Sequence, residues 1–182
     1  YTNGRFNPSG LAQYAAPLEG PDLPPIGPTP LSDPLPTQGN IGHLITPEDL
    51  SPGFIATAST SIAMFSAPAS SGPLLTSPKV SAFQQNCIAD RRTRQSATSV
   101  EVTDIASIQQ WAADADLDHV VMAYAPIGPV SDQLSTLRQT LDQKDINLSV
   151  QVRQYDATAW PKATHGFFRF KDISRKLIAG LN

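Results

Sequence analysis

A chain of 182 residues with a net charge of −3 and a pI near 5.5 is long enough for one hydrophobic core, and it carries no global attraction to nucleic acid or to an anionic membrane. No apolar run approaches the ~20 residues that a membrane-spanning helix needs. Cys87 is the single cysteine, which excludes an intrachain disulfide and a cysteine-rich metal cluster.

Residues 1–53 hold 11 of the 17 prolines, and their acids Glu19, Asp22, Asp33, Glu48 and Asp49 face one base, Arg5. Proline has no N–H and a fixed φ, so this density predicts neither helix nor central strand but an extended Pro/Gly-rich connector. Leucines and isoleucines at 18, 23, 26, 31 and 35 predict that it lies along a folded surface instead of swinging free. Thr46-Pro47-Glu48-Asp49 has the signature of a helix start, with a Thr cap, Pro in the first turn and acids at the positive dipole end, and predicts one helical turn.

From residue 54 onward strands and helices alternate. SIAMFS (61–66) reads as a short apolar strand. Ser77-Pro78 opens a helix with Val80, Phe83, Cys87 and Ile88 on one face, and SVEVTD (99–104) is a weak edge-type strand. Asp104 caps a helix that turns Ile105, Ile108, Trp111 and Ala112 inward. HVVMAYAP (119–126) is the most apolar strand and is expected at the centre. One helix follows, with Val130, Leu134, Leu137 and Leu141 at helical spacing, and INLSVQVRQYD (146–156) reads as the last strand. A closing helix turns Ile173, Leu177 and Ile178 to the core. The fold class is α/β: a small Rossmann-like parallel sheet of about four strands flanked by helices over residues 54–182, preceded by the extended segment.

In such sheets ligands bind at the carboxyl ends of the strands. Here those ends are 66–72, Asp104, 124–128 and 154–160. Ser66, Ser70, Ser71 and Gly72 offer hydroxyls and flexible backbone for an anion; Gly128 leads into a helix N-terminus; Tyr124 and Trp160 can act as stacking walls. The phosphate-binding, zinc-protease and nucleophile-elbow motifs are all absent. His43, His119 and His165 stand far apart in sequence without metal-ligand spacing, and Cys87 lies on the apolar face of its helix. No catalytic residue and no metal ligand is assigned. The tail interleaves Trp160, Phe167, Phe168 and Phe170 with Lys162, Arg169, Lys171, Arg175 and Lys176, a mixture also seen in single-stranded nucleic-acid platforms. The acidic remainder of the chain favours a structural role: Phe167 and Phe168 cover an edge of the sheet, so that their loss costs a few kcal/mol, while Lys171 and Arg175 stay solvated.

Some of these residues form a familiar series. Tyr1-Thr2-Asn3-Gly4-Arg5-Phe6 with Pro8 and Gly10-Leu11 resembles the sequence that follows the helical FAD-binding domain of certain bacterial photolyase/cryptochrome-like flavoproteins. Trp111, Val120-Val121, Tyr124-Ala125-Pro126, Gly128-Pro129, Arg153, Asp156, Trp160-Pro161, Ala163-Thr164 and Gly166-Phe167-Phe168 resemble the C-terminal α/β region of the same proteins. Residues 54–98 match only in pattern. The resemblance implies a non-catalytic accessory domain of a larger protein in the light-dependent DNA repair or blue-light receptor superfamily. FAD would then reside in a helical domain of the same chain, preceding Tyr1, with DNA reached only through the parent. The alternative is a module that binds a chromophore or nucleotide at the strand ends; an independent Rossmann-like enzyme built on Ser66, Asp104 and Asp156 ranks third. The start at Tyr1 instead of Met agrees with a piece of a longer protein, and the lack of a basic-then-apolar leader with a soluble, cytoplasmic one.

Overall fold

The computed structural model describes residues 20, 27–66, 76–95, 97–164 and 166–180. Strands β1 (Ile41–Ile45), β2 (Ser61–Phe65), β3 (Ser99–Val102), β4 (His119–Ala123) and β5 (Asn147–Gln151) form one parallel sheet in the order β3-β2-β1-β4-β5. Helix α1 (Pro78–Arg94) joins β2 to β3, and α2 (Ile105–Asp114) carries the chain back across β1 to β4. Helices α3 (Pro129–Leu134) and α4 (Leu137–Asp142) lead to β5, followed by α5 (Gln154–Ala159) and α6 (Phe167–Ala179). The α/β class and the parallel sheet are as the sequence predicts, with five strands where about four were expected.

The additional strand is β1, and it is central, although it lies inside the segment expected to be a connector. Its neighbours explain its sequence. A Cβ on Gly42 would fall 2.6 Å from the Trp111 ring and would also meet Leu117, so only glycine lets α2 lie this close to the strand. The Trp111 indole is buried and donates to the Ser61 hydroxyl at 2.9 Å. Asp104 accepts from the Ser107 N–H at 2.7 Å while the Ser107 hydroxyl accepts from the Asp104 N–H at 3.1 Å, which closes a reciprocal cap on α2.

Alternation along the strands divides the core. On one face Leu44, Phe65, Val102, Val120, Met122 and Leu148 pack against α2, α3 and α4. On the other, Ile41 and Val121 pack with Ile55, Leu35 and Phe54, while Ile45 and Met64 meet Ile88 and Leu50. Leu35 before β1 and Leu50, Phe54 and Ile55 after it are therefore part of the layer that covers the second face. Thr46–Asp49 is a tight turn joined by a bridge, with Asp49 N–H donating to the Thr46 carbonyl at 3.1 Å, and the helical turn expected there is not formed. The only helical geometry nearby is a 3-10 turn at Pro52–Phe54.

The exposed edge of β5 is capped by the Pro-rich segment. Asp33 N–H donates to the Val150 carbonyl at 2.9 Å, and Val150 N–H donates back to the Asp33 carboxylate at 2.9 Å. Val152 N–H donates to the Ser32 hydroxyl at 2.9 Å, and Arg138 donates to the Leu148 carbonyl at 2.7 Å and to Asp33 at 2.7 Å. Prolines on either side cannot extend the ladder, so the strap seals the edge without offering a new one.

Two groups here set an acid limit on stability. Burial works to raise the Asp33 pKa, but the Val150 N–H and the Arg138 guanidinium outweigh it and hold it below 3.8. Desolvation holds the His43 imidazole, on the same side of β1 as Ile41 and Ile45, below 6.5. In both cases the unfolded chain binds the proton first. Their contribution to stability is thus fully present above 6.5, declines as pH falls from 6.5 through the folded His43 value, and declines again as pH falls from 3.8 through the folded Asp33 value. Asp33→Asn is expected to reduce the lower limb, to which Asp104 also contributes, and to leave the upper limb unchanged, which urea unfolding at a series of pH values reads directly.

Several other expectations need correction. The last strand ends at Gln151, not Asp156: Val152 continues the alternation, but Arg153 turns the chain and Gln154 begins α5. The single helix over 130–141 breaks at Ser135-Thr136, where the Ser135 hydroxyl donates to the Asp132 carbonyl at 2.8 Å and competes with the backbone ladder. On α1 only Ile88 is buried, while Phe83 is 68% exposed. On α6 Leu177 is buried, Ile173 is half-buried and Ile178 is exposed. Phe167 and Phe168 are 70% and 78% exposed, edge to face at 5.6 Å, so they do not cover the sheet edge.

Candidate functional site

The strand order reverses at β1, since β2 follows on one side and β4 lies on the other. At such a switch point the loops after the two strands diverge and leave a crevice. Here the crevice has a volume of about 160 Å³ and opens at the carboxyl ends of β1, β4 and β5.

Its first wall is built around Asp49, in the turn after β1. The Arg153 guanidinium, just after β5, donates to both Asp49 oxygens through Nη2 at 2.7 Å and through Nε at 3.0 Å, and to the Ser51 carbonyl at 2.9 Å. The Phe54 ring lies under the same guanidinium at 4.4 Å. A planar cation is thus held between a carboxylate and a ring, an arrangement that a lysine could not reproduce. The pair ties the loop after β1 to the end of β5 across the mouth of the crevice.

The opposite wall is aromatic. Tyr124, after β4, meets Trp160, after α5, edge to face with centroids 5.7 Å apart and planes at 82°. Trp160 is 42% exposed. Glu48 and Asp156 complete the lining, and neither carboxylate has a hydrogen-bond or ion-pair partner among the described residues. Among the described residues Arg153 is the one base that lines the crevice. Once it is paired with Asp49, the cavity retains excess negative charge.

Of the residues singled out from sequence, Tyr124 and Trp160 come together as walls of one crevice. Ser66 does not join them: its hydroxyl donates to Glu101 at 2.8 Å, and Glu101 in turn pairs with Arg92 at 3.2 Å. Gly128, with φ of 157°, starts α3 and does not line the crevice, and α3 itself is a short six-residue helix. Ser70, Ser71 and Gly72 lie outside the described residues. Asp104 is committed to its cap, where the Ser107 N–H and hydroxyl hold its carboxyl below 3.8. Ser66, Asp104 and Asp156 therefore do not form one cluster. Sequence reasoning missed the role of Glu48, Asp49 and Phe54, because their importance depends on β1 being a strand. Arg153 entered only through the family resemblance, and Asp156 through it and through the third-ranked enzyme reading.

The arrangement can recognise a small ring or cation by stacking and charge. It pairs no nucleophile with a base. Among the described residues no group of His, Cys, Asp and Glu could hold a metal ion, and no helix is long and apolar enough to cross a membrane. Comparison with known proteins finds no family model, no curated protein and no solved structure that matches the chain.

Proposed function

We propose that the chain is a non-catalytic α/β accessory domain of a photolyase/cryptochrome-like flavoprotein, so that light-dependent DNA repair or blue-light reception belongs to the parent. The parentage rests on the sequence resemblance at both ends of the chain. The observation that supports a non-catalytic role is that three of the polar groups at the strand ends are engaged in structural contacts, Ser66 with Glu101, Asp104 with Ser107 and Asp49 with Arg153, which leaves Glu48 and Asp156 without a paired nucleophile among the described residues. Catalysis by a positioned base needs a partner within hydrogen-bond reach, and the first three groups are already committed. In this reading FAD sits in a helical domain of the same chain and DNA is met only through that domain, in the cytoplasm. Phe83, Phe167 and Phe168 supply exposed apolar surface suited to packing against it.

Extending the reading frame upstream of Tyr1 is expected to reveal a helical flavin-binding domain. The extended protein is expected to show flavin absorbance, and the chain alone none. An upstream sequence of another kind, or repair of pyrimidine dimers under blue light by this chain alone, overturns the proposal.

A second reading, a ligand-binding module at the strand ends, is favoured by one observation: Tyr124 and Trp160 stand as adjacent perpendicular walls of the switch-point crevice. The two readings are compatible, because an accessory domain with no chemistry of its own can still bind a ligand.

A further inference from the structure

We propose that the switch-point crevice binds a small organic cation, an alkylated guanidinium or ammonium group, and not a phosphate-bearing nucleotide or chromophore. The inference deepens the ligand-module reading and rests on it.

The crevice already contains an example of the chemistry. The Arg153 guanidinium is seated on the Phe54 ring at 4.4 Å and held at 2.7 Å by Asp49. The same crevice is also lined by Tyr124 and Trp160, whose planes stand at 82° to one another, and by the acids Glu48 and Asp156, and among the described residues it has no Lys or Arg besides Arg153. The edge-to-face pair leaves part of Trp160 exposed, and an aromatic surface next to acidic residues can hold a cation against a ring instead of water.

Charge decides against phosphate. A phosphate site needs converging backbone N–H groups or unpaired bases. The lining base, Arg153, is consumed by Asp49, and Glu48 and Asp156 add two further acids to the lining. At about 160 Å³ the crevice compares with the roughly 150 Å³ cavity that takes a benzene ring, which is room enough for a methylated ammonium or guanidinium. A groove lined by Tyr155, Ala159, Ala163 and Phe170 adjoins it across Asp156 and Trp160, and offers apolar surface to an alkyl substituent on the cation.

The test is a titration of the isotopically labelled full chain with methylguanidinium chloride and with tetramethylammonium chloride, followed by amide and indole chemical shifts. Sodium chloride at matched ionic strength, inorganic phosphate and adenosine monophosphate are run in parallel. The expected result is a saturable shift of the Trp160 indole N–H and of the Tyr124, Arg153 and Asp156 amides, with millimolar affinity, for the organic cations alone. Asp156→Asn is expected to weaken binding about tenfold, as is usual on removing one member of a partly desolvated charge pair. Glu48→Gln, at an exposed residue outside any helix, is the second variant and is expected to weaken binding in the same direction. Saturable binding of phosphate or the nucleotide at these residues would overturn the cation proposal and keep the ligand-module reading. No saturable shift with any probe, or a response that sodium reproduces, would overturn both and leave the accessory-domain proposal to its own test.

Discussion

Phe65→Ala is expected to lower the stability of the chain by about 3–5 kcal/mol, whereas Phe167→Ala and Phe168→Ala are expected to change it by less than about 0.5 kcal/mol. Phe65 is fully buried at the end of β2, in the cluster that includes Val102, Ile108 and Leu44, and its truncation leaves a cavity that close-packed neighbours fill only in part. A domain of this size has about 5–15 kcal/mol in total, so the variant sits near the limit of folding. Phe167 and Phe168 touch chiefly each other and solvent, and α6 is fixed by Leu177, Ile173 and Phe170 on its opposite side. Urea unfolding separates the cases: the midpoint of Phe65→Ala falls sharply while the slope of the transition stays unchanged. Equal losses for Phe65 and Phe168 would mean that α6 packs through its exposed face and that the stacking described here is wrong.

The parts of the fold legible in the sequence are those fixed by local pattern. The Asp104 cap and the Ile108, Trp111 and Ala112 spacing define α2 almost to its ends, and the run 119–126 identifies a buried parallel strand. Other parts are decided by contacts distant in sequence. IGHLI carries a glycine and a histidine among prolines and looks unlike a central strand, yet Gly42 is there because Trp111 lies over it. The same holds for the site. Tyr124 and Trp160 could be named as walls from their place after strands and turns, but the Asp49–Arg153 pair joins residues that no local pattern connects. Misreading β1 hid Glu48, Asp49 and Phe54 together, since all three depend on where that strand ends. The exposed faces of α1 and α6 show the opposite failure. Helical spacing of Val80, Phe83 and Cys87 predicts a buried stripe, but periodicity reports which residues share a face and not whether anything covers it.

The strongest expected effect follows from the position of β1. It is hydrogen-bonded to β2 on one side and to β4 on the other, with Gly42 opposite both Ser61 and Val120. Without it the sheet separates into a β3-β2 pair and a β4-β5 pair, and two-stranded ribbons are marginal in water. Its loss also uncovers Val121 and Met64, and takes with it Leu35, which packs against the second face, and the Ser32–Asp33 strap on the β5 edge. The crevice loses Glu48 and Asp49, leaving Arg153 unpaired. The most direct test of a single α/β domain whose site opens at the end of its central strand is therefore urea unfolding of residues 54–182 beside residues 27–182. The longer chain is expected to unfold in one cooperative transition and the shorter to show none, with its near-ultraviolet circular dichroism lost. A cooperative transition of residues 54–182 at the same midpoint would contradict the account, because it would mean that the domain and its core exist without β1.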